Sequence, residues 1–207
     1  MENFDAKLHV GHLVELANSI EPGKVTILTG ANASGKSVIR KCLSPRIAKK
    51  LSLDETKNVI SELSFMTRAG NNIYSGVNFL RDSAWTSTGQ NTAELLMSIL
   101  NTENRYIVLD EPELGMGEEL QLTIANYINE HKDKVLEKNY GLMVITHSRV
   151  IANALKEDIF INIDNPSWTK IDWLNRKISP IDFKSFQEKS DKIFEEIRDR
   201  TNRLINH

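Results

Sequence analysis

Apolar residues along the chain fall into short runs separated by longer stretches with helical spacing. Val25 to Leu28, Tyr106 to Leu109, Leu142 to Ile145 and Ile159 to Ile163 are compact, mostly apolar segments rich in Val and Ile. Runs of that length and composition fit strands covered on both faces, as in the middle of a parallel sheet. Between them the apolar positions recur three and four residues apart. Val38, Ile39, Cys42 and Leu43 mark a helix after Ser37, and Leu95, Leu96, Ile99 and Leu100 a second over residues 91 to 100. Leu120, Ile124, Tyr127 and Ile128 mark a third from Glu118 to His131. This strand–helix alternation predicts an α/β fold of three layers, a mostly parallel central sheet with helices on both faces.

The remaining segments carry weaker patterns. Residues 6 to 20 read as a short strand or two, with Glu21-Pro22-Gly23-Lys24 as the turn that follows. The helix after Ser37 is expected to break near Ser44-Pro45, because proline disfavours a helical conformation in the residue before it. Residues 47 to 51 can continue it, residues 58 to 66 fit either a strand or a short helix, and residues 69 to 76 carry loop chemistry. From Phe183 onward, Phe186, Ile193, Phe194, Ile197, Leu204 and Ile205 return at helical spacing, while Lys192, Glu196 and Arg200 stand four apart on the opposite face. Two units are therefore expected, a domain over 1–178 and an amphipathic helical tail over 179–207, which either packs on its own domain or meets a partner.

The totals narrow the function classes. A chain of 207 residues holds one domain with a substantial core, with or without a small appendage. A net charge of −2 gives no electrostatic reason to expect nucleic acid as the main ligand. Arg46, Lys49 and Lys50 read as solvated surface, and DNA contact stays open. Cys42, the one cysteine, has no partner for an internal disulfide, and its place on an apolar helix face fits a buried structural role. No apolar run reaches membrane-spanning length, and Glu2 and Asp5 argue against a signal peptide, so a cytoplasmic protein without membrane insertion is expected.

The candidate chemistry begins at the end of the first apolar run. Gly30 to Ser37, GANASGKS, fits G-x-x-x-x-G-K-[ST]. From ordinary residue usage a chance match in a chain this long is expected at roughly 1%. Glycines let successive backbone N–H groups turn toward one anion, and a following helix adds the positive end of its dipole. Asn32, Ser34 and Gly35 belong to that loop; Lys36 can reach β- and γ-phosphates, and the Ser37 hydroxyl can ligate Mg²⁺. The second station is YIVLDEPE at 106 to 113, an apolar strand ending in two acids. Asp110 would hold Mg²⁺ and Glu111 would polarise an attacking water. The third is LMVITHS at 142 to 148, which delivers His147 to the carboxyl end of a strand, where ligands bind in open α/β sheets.

With these stations in that order, the chain resembles the ATP-binding-cassette type of P-loop ATPase. In that superfamily a signature loop, typically LSGGQ, opens a helix shortly before the acidic strand. This chain has Thr86-Ser87-Thr88-Gly89-Gln90, twenty positions before Asp110. The resemblance implies that Ser87, Gly89 and Gln90 meet the γ-phosphate of an ATP held by a second copy, and that His147 senses that phosphate. DEPELGMG with a downstream THS looks most like the soluble branch, which holds the chromosome-maintenance, DNA-repair and OLD-like defence ATPases. Three features depart from the transporter pattern. No glutamine lies between Ser37 and Trp85, only 51 positions separate Lys36 from Ser87, and Gly117 stands where transporter cassettes place an aspartate. The helical subdomain is thus expected to be reduced. The resemblance implies a Mg·ATP-hydrolysing head-to-tail homodimer that switches a process through a protein partner the sequence does not name. A regulatory ATP-binding module with little turnover, or a transporter ATPase subunit, are the alternatives. Phe4 and His9 lie near the family's adenine-stacking position, and neither is assigned that role.

Overall fold

The computed structural model describes residues 6–32, 34–54, 56, 58–64, 88–180 and 182–205. Its centre is a five-stranded, all-parallel sheet in the order β2-β3-β4-β1-β5. The strands are β1 (Val25–Thr29), β2 (Ile60–Leu63), β3 (Tyr106–Asp110), β4 (Gly141–Ile145) and β5 (Ile159–Asn162). The helices are α1 (Ala6–Ser19), α2 (Lys36–Lys50), α3 (Thr88–Leu100), α4 (Glu118–Lys138), α5 (Arg149–Ala154), α6 (Lys170–Asn175) and α7 (Phe183–Ile205).

Period-two alternation along the strands divides the core into two layers of side chains. Leu28, Tyr106, Val108, Met143, Ile145 and Ile161 pack under α1 and α2, against Leu13, Ala17, Ile39, Leu43 and Ile47. Val25, Ile27, Ile107, Leu109, Leu142 and Val144 point the other way, against Leu96, Ile99 and Leu100 of α3, Ile124 and Ile128 of α4, and Ile151 of α5. Strands covered on both faces explain why these runs carry so little polar residue. Cys42 is partly buried against the first of these layers.

Two segments differ from the sequence expectation. Residues 6 to 19 form a helix, not strands. Leu13, Ala17 and Ile20, all but inaccessible to solvent, recur at helical spacing and face the sheet. Nor does α2 break at Pro45, which sits inside a helix of 15 residues. Leu43, Ile47 and Ala48 on either side of it are buried, and Arg46 Nη1 donates to the Cys42 carbonyl at 2.9 Å. Packing on both sides of the proline, with a side-chain donor for a nearby carbonyl, offsets the lost helical bond. Within the stretch at 58 to 66, Ile60–Leu63 form the short edge strand β2, and α4 extends about two turns beyond His131, to Lys138.

Register levels the ends of the central strands. Leu28 and Asp110 both pair with Ile145, from opposite sides of β4. The loops after β1, β3 and β4 therefore open at one end of the sheet. The C-terminal helix α7 packs against α1 and buries Ile193, with Phe183 and Phe194 exposed. Among the described residues, no helix is long and apolar enough to cross a membrane.

Leu13 couples this packing to the loop after β1, since its side chain lies directly behind Gly35. Leu13→Ala is expected to cost about 2–5 kcal/mol through lost burial and the cavity left behind. Equilibrium urea denaturation measures it, and a loss under about 1 kcal/mol would mean that α1 contributes little to the core.

Candidate functional site

The loop from Gly30 to Gly35 is built around positions that tolerate no side chain. At Gly30 a Cβ would come within 2.5 Å of Ser34 Oγ. Gly35 is the N-cap of α2 with φ +98°, a left-handed conformation natural to glycine, and a Cβ there would meet Leu13 Cδ1 at 2.3 Å. Ser34 is buried, and its amide donates to the Ala31 carbonyl at 3.2 Å, closing the turn that leads into α2. The far side is held by the residues after β5. Asp164 Oδ2 accepts from the Ala31 amide at 2.5 Å, and Asn162 donates to the Thr29 hydroxyl at 3.0 Å.

Lys36 opens α2 and lies back across the loop, with Nζ 3.0 Å from the Ala31 carbonyl and 3.3 Å from that of Gly30. Burial is the largest influence on it and pulls its pKa below the usual 10.5, while Glu111, Asp164, Asp110 and Glu113 push the other way. The site is thus a cation short of water, facing several carboxylates. Ser37 follows in the first turn of α2.

At the end of β3, Asp110 accepts from Arg40 Nη1 at 3.1 Å, and the same Nη1 hydrogen-bonds the Glu62 carboxylate. Burial raises the Asp110 pKa above the usual carboxylate range, with Arg40 as the main opposing influence. Glu111 follows with φ +50°, a left-handed conformation that a side chain other than glycine rarely adopts. Its amide donates to the Ile145 carbonyl at 2.8 Å, which anchors the strained residue to β4. The imidazole of His147 stands beside it, Nε2 3.2 Å from Glu111 Oε1 but off the line of a hydrogen bond.

A residue with no role in the sequence reading ties this end together. Glu113 Oε1 accepts from the Thr146 hydroxyl at 2.7 Å, the His147 amide at 2.8 Å and the Ser148 amide at 3.1 Å. The third acid of the DEPE run thereby clamps the THS run, so the two segments form one structural unit. Ser148 in turn caps α5, accepting from the Ile151 amide at 3.1 Å, and its hydroxyl donates to Gln121 at 2.6 Å. The joint presence of DEPE and THS was the signal in the sequence; their hydrogen bonding was not.

These elements enclose a cleft of about 440 Å³. Asn32, Ser34, Gly35, Lys36, Val38, Asp110 and Glu111 line one side, and Ser190, Ile193 and Phe194 of α7 line the other. The tail expected as an appendage over 179–207 thus contributes a wall of the site. An ion pair, Lys189 Nζ to Asp164 Oδ1 at 3.9 Å, links α7 to the acid that holds Ala31. Gly89 and Gln90 lie elsewhere, in the first turn of α3, which packs on the edge strand β2. Ser87 and Phe4 fall outside the described residues, and the side chain of His9 is likewise not described.

No family model matches the chain, and no curated protein matches it. The chemistry of the cleft rests on its geometry: the loop after β1 and a lysine at a helix N-terminus, with Asp110 and Glu111 beside them and His147 behind Glu111 at 3.2 Å. That arrangement can hold an anion against Lys36 and place a general base next to it.

Two outcomes test the geometry. Glu113→Ala takes the shared acceptor from the Thr146 hydroxyl and the His147 amide and leaves the Ser148 amide only Thr146 Oγ1, at 2.9 Å, and is expected to cost at least about 2 kcal/mol. Native-state hydrogen exchange should show the His147 and Ser148 amides losing protection ahead of the rest of the sheet. Unchanged protection there would contradict the clamp. For Lys36, a folded pKa below 10.5 means that the folded chain releases this proton at lower pH than the unfolded chain. The cost of burying the ammonium is therefore present in full below the folded value and is relieved as pH rises toward 10.5. The stability of wild type relative to Lys36→Met should accordingly increase over that interval, as read by denaturation at successive pH values. A flat difference would show that burial does not control this lysine.

Proposed function

We propose that the chain binds Mg·ATP and hydrolyses it, acting as a soluble cassette-type P-loop ATPase that pairs head to tail with a second copy. The observation that carries this reading is the single cleft in which a glycine-cornered loop, the N-terminus of α2 and Lys36 face Asp110 and Glu111. A triphosphate would offer charged oxygens as direct partners to a lysine whose pKa burial has lowered. Asp110 and the hydroxyl of Ser37 are the residues that would hold Mg²⁺. Among the described residues no cluster of three or more His, Cys, Asp or Glu could cage a metal. Magnesium suits such a site, because it keeps several waters and binds through one or two protein ligands together with phosphate oxygens. When bound, the ion supplies neutralisation of phosphoryl charge.

In this reading Glu111 accepts a proton from the attacking water, and its anchored left-handed backbone fixes the carboxylate for that task. His147, 3.2 Å away, shares the same space and steadies the phosphate oxygens. Lys36 balances the charge that builds on those oxygens. Gly89 and Gln90 sit at the first turn of a helix on the sheet edge, a position from which Ser87 to Gln90 of one copy would complete the cleft of another. Loss of the bridging phosphate would release the pair, a switch that a protein partner in a repair- or defence-like process would read. A regulatory ATP-binding module with little turnover is favoured by one observation, the presence of Ser190, Ile193 and Phe194 in the cleft wall, which joins occupancy of the site to the tail.

Steady-state phosphate release separates the two readings. Lys36→Ala should abolish it, and Glu111→Gln should lower it by about 10²–10⁴-fold while retaining ATP. Light scattering should then find Glu111→Gln as an ATP-dependent dimer. A variant that binds ATP yet stays monomeric would sink the head-to-tail pairing, and release insensitive to both substitutions would sink the ATPase.

A further inference from the structure

Arg40 is the second cation of the cleft region, and the phosphate loop makes no use of it. It lies on α2, one turn past Lys36, and a single nitrogen, Nη1, bonds both Asp110 at 3.1 Å and the Glu62 carboxylate. All three side chains are about one-quarter exposed or less, so their charges are only partly screened by water. Glu62 comes from β2 and Asp110 from β3, adjacent parallel strands in which Glu62 pairs with Val108. Two carboxylates from neighbouring strands, with Glu111 beside them, would repel one another without a cation between them. Arg40 is that cation, and it has two acceptors where one would fix it in place.

We propose that Arg40 is a positioning residue that occupies Asp110 until a divalent cation arrives and then passes to Glu62. Glu62 is the receiving acid that makes the exchange inexpensive. This rests on the reading of Asp110 as the metal-side carboxylate. The physical logic is competition at one oxygen pair: a guanidinium and a divalent cation both seek Asp110, and the weaker claimant must be able to leave without losing a partner. With Glu62 in place Arg40 keeps a charge-assisted bond throughout, so no buried cation is left unpaired. The arrangement also keeps a charged donor on Asp110 at the end of β3.

The test uses Mn²⁺ as the paramagnetic stand-in for Mg²⁺, bound in the presence of a non-hydrolysable ATP analogue and titrated by electron paramagnetic resonance. It reads affinity and needs no turnover. Wild type should bind one Mn²⁺ and Asp110→Asn should bind it much more weakly; if Asp110→Asn is unchanged, the reading of Asp110 fails, whatever Arg40 does. Given that control, Arg40→Gln should bind Mn²⁺ about tenfold more tightly, the effect of removing one positive charge close to a divalent ion under water-like screening. Glu62→Gln should bind it several-fold more weakly, because Arg40 then has Asp110 as its one acidic partner. The double variant decides the mechanism. If Glu62 acts by receiving Arg40, Glu62→Gln adds little once Arg40 is gone, and the double variant resembles Arg40→Gln. Two independent charges would instead add, returning the affinity toward wild type, and that result overturns the exchange. Unchanged or weaker binding in Arg40→Gln overturns it as well. Should Arg40→Gln fail to fold, Arg40→Met carries the test, since it removes the charge and keeps an unbranched apolar stem. Glu62→Gln should then lose most of its effect in that background, and an undiminished effect would count against the exchange.

Discussion

One carboxylate oxygen fixes the carboxyl end of the sheet. Past the last ladder bond of β4, the amides of His147 and Ser148 have no strand partner, and buried amides without acceptors are costly. Glu113 Oε1 takes both, together with the Thr146 hydroxyl. Because Glu113 follows β3 by three residues, the same bonds pin the turn carrying Asp110 and Glu111 to the turn carrying His147. The amide of Glu111 adds a second tie, to the Ile145 carbonyl. The separation of Glu111 and His147 is therefore set by backbone, and neither side chain has to find the other by rotamer choice alone.

Around that frame, charge is arranged in opposed pairs. Lys36 faces the acids from the loop, and Arg40 faces them from one turn farther along α2. Both sit on a helix whose N-terminus points into the cleft, so the positive side of the site is a single rigid body. The negative side comes from two strands and the segments after β3 and β5: Glu62, Asp110, Glu111 and Asp164. Parallel pairing brings these acids to the same level, which is why the cleft lies at the carboxyl ends of the strands.

The sequence disclosed the parts governed by local rules. Apolar runs of four or five residues could only be strands sheltered on both faces, and the glycines of the loop after β1 declared a tight turn into a helix. Local rules misled where tertiary packing decides. Residues 6 to 20 read as short strands, while Leu13, Ala17 and Ile20 against the sheet make a helix of residues 6 to 19. Pro45 suggested a break, while the buried residues on either side of it keep the helix whole. The contacts that shape the site were beyond reach for a different reason. Glu113 and Thr146 are 33 residues apart, and Arg40 and Asp110 are 70. Such pairs are created by strand register and leave no periodicity in the chain.

The placement of α7 has a thermodynamic consequence. Ile193 serves both as the anchor of that helix, being buried, and as part of the cleft wall. Any molecule that fills the cleft and touches Ile193 or Phe194 therefore has a different affinity for the chain with α7 seated than with α7 displaced. Reciprocity then applies: whatever grips or frees the tail must change the affinity of the cleft by the same factor.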